Sequence, residues 1–264
     1  MSSVDVGRLT FAGPDGVTVR RFRDVLYWID GLSAYVLACD SNAGIGQRPH
    51  DALQQSPAET GYSAAKVALM EVLAVGATPF VLTNALGGPR DDYGQQILAG
   101  IRAAIDEVAA HVTLTGSDET NVPTKQTAVG ITVVGHAPAA ALRLGGTRSG
   151  DVVACVGVPK DGLRVPYTEG DDDIANLRDV RNAARLAAVH EVLPVGSRGV
   201  AYEAQQLAAG TNGTVRFRES PIDLAASAGS GTCFLVTVPA EHVAALGSVV
   251  RPPVTVVGEI VSRP

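Results

Sequence analysis

What most constrains this chain is an acid set against an apolar element, three times over. At residues 35–39 the run YVLAC is followed at once by Asp40 and then by the small-residue loop SNAGIG, with Gly44 and Gly46. A short apolar run bounded by turn residues reads as a buried strand. Asp40 then closes a strand, and the glycines let a metal or phosphate approach the backbone. A plain strand end with an Asp-led turn explains the same letters; recurrence separates the two readings. At 67–77, VALMEVLAVGA, every residue but Glu71 is apolar or small. The stretch 64–75 has no internal Gly or Pro and reads as helix. At helical spacing Glu71 has Val67, Ala68, Ala74 and Val75 as neighbours, so no face offers it a solvent stripe. A carboxylate there is costly unless a cation or good donors pair with it; the competing reading is a partly exposed glutamate on a half-buried helix. At 112–121, VTLTGSDETN, a β-rich run ends in Gly116, Ser117 and the doublet Asp118-Glu119.

Three such placements suggest one shared cation site. An all-oxygen ligand set suits magnesium, which is commonly held by one or two carboxylates plus substrate phosphates. Asp40, Glu71 and Asp118 are the candidate ligands, with Glu119 an alternative to Asp118 because the register of the doublet is open.

Composition narrows the class. The chain has 264 residues, enough for one large domain or two small ones, and at 46% hydrophobic with 5% aromatic its core must be aliphatic. The net charge is −6, with lysine only at Lys66, Lys125 and Lys160 and no basic block, so nucleic acid is not an expected partner. Cys39, Cys155 and Cys233 are far apart and embedded in apolar runs, and read as buried thiols in a reducing compartment. No Cys or His spacing suggests zinc. The N-terminal residues carry no apolar signal core, and no run is long enough to span a membrane, so a cytoplasmic protein is expected.

Along the chain, strands are expected at 17–22, 26–29, 35–39, 79–86, 112–115 and 128–136, and helices at 64–75 and 95–110. Pro138, the Gly145-Gly146 pair and the turn RSGD mark a boundary, giving domains 1–147 and 148–264. The second half is expected to run strand 152–158, a polar loop 160–173 with a solvated acidic run Asp171-Asp172-Asp173, helix 174–192, helix 200–208, strands 214–217 and 233–238, helix 240–246 and strand 254–261. This order predicts an α+β protein in two halves rather than a doubly wound sheet. No GxGxxG follows a strand and no GxxxxGK[ST] occurs, which removes Rossmann and P-loop readings.

These residues resemble the ATP-using superfamily of aminoimidazole ribonucleotide synthetase, thiamine-phosphate kinase, selenophosphate synthetase and the hydrogenase-maturation dehydratase, the PurM-like superfamily. The resemblance is carried by Asp40 after its strand, by EVLAVGATP from Glu71, by GSDET from Gly116 before the apolar stretch 128–135, by Gly150-Asp151, and by the closing VVGEI at 256–260. Ser117 replaces a glycine of the pattern, and Glu71 stands where an Asp is usual. The early Cys and Lys of selenophosphate synthetases, the terminal Cys of the dehydratase and the His-Ser-Asn-Gly of the cyclase are absent. The chain is most similar to the α-ribazole kinases, through Arg23-Asp24, LACDSNAGIG with Asp51 beyond it, MEVLAVGATP and GSDETNVPTKQTAVGITVVG. A feature shared with the superfamily, Thr232-Cys233 after Gly229 and Gly231, has no assignable role.

What the resemblance implies is an N-terminal sheet domain that forms a β-barrel on homodimerisation and a smaller C-terminal α/β domain. It implies ATP and Mg2+ as cofactors and a kinase acting on a nucleoside-like hydroxyl, α-ribazole in cobamide salvage first among them. The alternatives are an amide-activating ligase or cyclase and a nucleotide-binding regulator without catalysis. Asp40 and Asp118 are the expected catalytic acids. Gly44 and Gly46 would present backbone N–H groups to phosphate. Arg48 and Lys125 would meet phosphate charge or remain solvated loop cations, and Asn121, Thr124 and Gln126 would hydrogen-bond a nucleoside.

Overall fold

In the computed structural model, residues 10–12, 17–108 and 111–263 are described. The leader reading of the first nine residues and the last two residues of the expected helix 95–110 lie outside them. Two sheets divide the chain. The first has seven strands in the order β1-β2-β3-β4-β9-β7-β8: β1 (Thr10–Ala12), β2 (Thr18–Phe22), β3 (Val25–Asp30), β4 (Ser33–Ala43), β7 (Thr78–Leu86), β8 (Thr113–Asp118) and β9 (Ala128–Pro138). All pairs are antiparallel except β7 with β8. Two short strands, β5 (Ile45–Gly46) and β6 (Leu53–Gln54), pair separately.

Two helices, α1 (Pro57–Ala74) and α2 (Asp92–Glu107), cover one face. Helix α1 opens on a capping box: Ser56 Oγ accepts from the Glu59 N–H, and Glu59 returns to the Ser56 N–H. It is seven residues longer at its start than the apolar pattern predicts, because that cap and Pro57 lie ahead of the apolar run. The face toward the helices is aliphatic: Ala34, Val36 and Ala38 of β4 are fully covered. Alternation puts Tyr35, Leu37 and Cys39 on the other face, where Trp28 stacks on Tyr35 and Leu26 pairs with Leu37. Among the described residues no helix covers that face. Leu26 and Phe80 are exposed there, and Cys39 with them, so the expectation of three buried thiols holds only for Cys155 and Cys233.

The second sheet has five strands in the order β11-β13-β10-β14-β12: β10 (Val152–Gly157), β11 (Glu191–Pro194), β12 (Gly213–Phe217), β13 (Cys233–Val238) and β14 (Val254–Ser262). Its central strands β10 and β13 are buried at every position, with α3 (Leu177–Arg185) on one side, α4 (Gly199–Ala209) on the other and a short α5 (Val243–Gly247) near the end of the chain. The single helix expected at 174–192 is two elements, α3 and β11. The acidic run is not simply solvated: Lys160 Nζ lies 2.8 Å from Asp173 and 3.4 Å from Asp171. Among the described residues no helix is long and apolar enough to cross a membrane. The result is a two-domain α+β architecture, a mixed N-terminal sheet followed by an α/β region.

Candidate active site

A cavity of about 800 Å³ lies between the two halves. Three of its acids, Asp24, Asp40 and Glu71, come from three separate elements. Asp40 is not the end of its strand: β4 runs on to Ala43, and Asp40 is paired with Ile131 of β9. Being an even position, Asp40 shares the helix-facing side with Ala38 and Asn42; Asn42 Nδ2 donates to Ser63 Oγ of α1 at 3.0 Å. One turn further along α1, Val67, Met70 and Glu71 line the cavity beside Asp40. Asp24 enters from the two-residue turn between β2 and β3. Glu203 of α4 stands behind Gly196 on the far wall.

Electrostatics bind these four together. Burial, then repulsion from Asp24 and Glu203, pushes the Glu71 carboxyl up to about 8, with Arg23 opposing. Burial and Asp24 push Glu203 up to about 7. Burial also raises Asp40, against the Ser41 amide. Mutual crowding of carboxylates at a cleft is a mark of a functional site. The only basic residue among the described residues lining the cavity is Arg21, whose Nε donates to the Arg23 carbonyl. Arg23 itself is turned away: its Nη2 lies 2.7 Å from Glu191. Its φ of 50° is rare for a residue with a side chain; the ion pair and the stacking of its guanidinium 4.7 Å over Phe22 hold it there.

The C-terminal half closes the cavity with Asp161 and with neutral groups, among them Tyr167, Ser197, Ser227 and Ser230. The segment carrying Tyr167 is tied to α1 by a buried ion pair, Lys66 Nζ to Glu169 at 2.6 Å. The Thr232 feature now has a role: Thr232 Oγ1 accepts from the Lys160 N–H at 3.0 Å and donates to the Ala228 carbonyl, fixing the same segment. Gly231, at φ +71°, lets the chain pass Met70, whose sulfur a Cβ would meet at 2.5 Å.

The other residues singled out from sequence lie elsewhere. Asp118 and Glu119 line a separate cavity of about 320 Å³ that shares Ser41 and Asn42 with the first. Asp118 is paired with Arg90 at 2.8 Å, and Glu119 accepts from the Asn121 and Val122 amides, holding its own loop. Asp118 is not among the leading charges acting on Glu71. The structure therefore brings Asp40 and Glu71 together, adds Asp24 and Glu203, and sets Asp118 and Glu119 around the edge of β4. Among the described residues no three His, Cys, Asp or Glu side chains are already converged to hold a metal ion.

Gly44 and Gly46 serve the packing of their loop. The Gly44 amide donates to the Thr127 carbonyl at 2.9 Å. A Cβ on Gly46 would strike Thr127 and Tyr93 oxygens at 2.4 Å. Both glycines surround Asp51, which accepts from the Arg48 and Thr127 amides and the Thr127 hydroxyl. Arg48 lies over the Tyr93 ring at 4.7 Å, Gln126 donates to the His50 carbonyl, and Thr124 Oγ1 is buried without a partner. Asn121 and Lys125 are exposed. None of these loop residues lines the large cavity.

With the geometry in place, comparison with known proteins bears on the fold. Residues 23–137, somewhat under half the chain, match the family described as AIR synthase related protein, N-terminal domain. A search of curated proteins finds no match. Thiamine-monophosphate kinase from Stenotrophomonas maltophilia K279a superposes with a TM-score of 0.67 at 18% identity, covering 96% of this chain and 89% of that one. The AaThiL complex with AMPPCP and TMP gives 0.67 at 16% identity, covering 91% and 85%. The hydrogenase maturation protein HypE of E. coli gives 0.65 at 15% identity, covering 86% and 80%. The chain thus shares the fold of these proteins over most of its length.

Proposed function

We propose that the protein is an ATP- and magnesium-dependent enzyme that works at the cleft between its two halves, of the kinase or amide-activating type. The observation that carries this is the meeting of Asp24, Asp40 and Glu71, from three elements, at one cavity where, among the described residues, none of the three makes an ion pair and Arg21 is the one basic group in the wall. Such a set must hold protons or cations near neutral pH, and its all-oxygen chemistry fits magnesium. Because three ligands are not yet converged, the set suits an ion that keeps waters and completes its shell with phosphate oxygens. Asp24, Asp40 and Glu71 would hold it, with Asp118 at the adjoining cavity a further candidate. Bound there, magnesium would neutralise charge on the nucleotide phosphates. The protein's own share is positioning: β4 fixes Asp40, α1 fixes Glu71, and a carboxylate of the set orients the acceptor oxygen. The serines and Tyr167 offer neutral hydrogen bonds to the acceptor. The AaThiL complex with AMPPCP supports a nucleotide in this fold.

Within that class the narrower reading is a kinase for a nucleoside-like hydroxyl, α-ribazole first; its support is the sequence resemblance. The two-sheet division supports domains 1–147 and 148–264. The bare apolar face of the N-terminal sheet supports a homodimer closed across it into a barrel. The test is product analysis with γ-labelled ATP and magnesium against a panel of nucleosides and amides. Label retained on α-ribazole supports the kinase; free phosphate with an amidine or cyclised product supports the amide-activating type. ATP turnover that survives Asp40→Asn unchanged overturns the cleft as the site.

A further inference from the structure

A second large cavity, of about 620 Å³, lies where the C-terminal end of α1 and the start of β7 meet α3 and the connection between the two halves. It shares no lining residue with the cleft. Its charge is the reverse: Arg143, Arg181, Arg185 and His111 line it, and none of the described residues lining it is acidic, in a chain of net charge −6. Among the described residues none of the three arginines makes an ion pair.

Part of this has a structural cause. Arg181 Nη1 donates to the carbonyl of Val108, the C-cap of α2, and Arg143 Nη1 to that of Val189, each at 2.8 Å. Helix C-termini attract cations. Each of these hydrogen bonds, however, uses one donor of its guanidinium. Arg181 Nε is buried with no partner, an unmade hydrogen bond that a native interior rarely keeps. Arg185, in the last turn of α3, is exposed. Beside these donors the wall is apolar, with Leu73, Phe80 and Val108.

We propose that this seam cavity is a binding site for a phosphorylated small molecule of mononucleotide size, its phosphoryl group on Arg143, Arg181 and Arg185 and its apolar body against Leu73 and Phe80. Planar guanidinium forks match phosphate oxygens in pairs, and the volume is that of a small-molecule site. The site is independent of the reading of the cleft.

The test is calorimetric titration with AMP in EDTA, so that the acids of the cleft stay without metal. Saturable binding is expected, weakened about tenfold by Arg185→Gln and by Arg143→Gln and unchanged by Asp40→Asn. Arg185 is exposed and makes no side-chain hydrogen bond or ion pair among the described residues, so Arg185→Gln should fold even where Arg181→Gln is unstable. Adenosine should not bind, and inorganic phosphate should bind more weakly than AMP. No heat with AMP or with pyrophosphate at millimolar concentration overturns the proposal. So does AMP binding that Arg185→Gln and Arg143→Gln leave intact, or malonate competing as well as AMP does.

Discussion

Two glutamates that feel the charge of Arg23 have opposite surroundings. Glu191, at the start of β11, has what a buried carboxylate needs: the Arg23 guanidinium, the Gly145 and Thr147 amides and the Thr147 hydroxyl. Glu71 has other carboxylates. The same side chain is satisfied at the join between the halves and left wanting at the cleft. An acid with a full set of donors is part of the architecture, and an acid without one is held ready for something that arrives. Arg23 makes the contrast sharper, because it spends its ion pair on Glu191 and acts on Glu71 only at a distance.

The contrast can be broken in several ways. The largest effect should be on turnover. Asp40→Asn and Glu71→Gln should each lower kcat by about 10³-fold, the scale of a lost electrostatic partner in a dry site. Circular dichroism should be unchanged, and a folded variant with wild-type kcat would remove that acid from the chemistry. Next comes Glu191→Gln, which strands Arg23 and should cost about 3 kcal/mol in urea unfolding. Glu71→Leu in the same assay, without metal, should cost nothing or stabilise; equal losses from the two would erase the distinction.

A smaller effect follows from pH. Glu71 binds its proton more tightly folded than unfolded, so between about 4.5 and 8 the folded state carries more protons and stability falls as pH rises. Metal-free protein should lose stability steadily across that window, by at most about 1.4 kcal/mol per pH unit. A flat profile would mean that Glu71 has a partner. The smallest effect belongs to the exposed pair Arg216–Glu259, where Arg216→Ala should leave the unfolding midpoint unmoved.

The strands were legible because alternation and short apolar runs report the sheet directly; β9, β10 and β13 fall within two residues of their expected bounds. The segment 174–192 was not. No Gly or Pro stops the helical pattern after Arg185, and β11 is four residues whose strand state is decided by pairing with β13. Three of the site's facts were hidden for different reasons. Asp24 sits in a tight turn, where an acid is ordinary, and entered only through the Arg23-Asp24 of the resemblance. Glu203 lies on a helix and looks like surface until α4 is packed behind the cleft. The separation of Asp118 from Glu71 depends on sheet order, with β9 lying between β4 and β7, and spacing along the chain does not carry that.

That same sheet order bears on how the molecule comes into being. Asp40 is set in place by pairing with Ile131, about ninety residues further on. Closing so long a loop is slow and is rewarded only when the strand on its far side has formed. On the ribosome, α1 and α2 can form while β9 is still unmade, with the first four strands lacking the neighbour that joins them to β7. The cleft is thus among the last parts of the N-terminal half to exist, and a nascent chain that stops short of Ala128 should neither hold its acids together nor bind nucleotide.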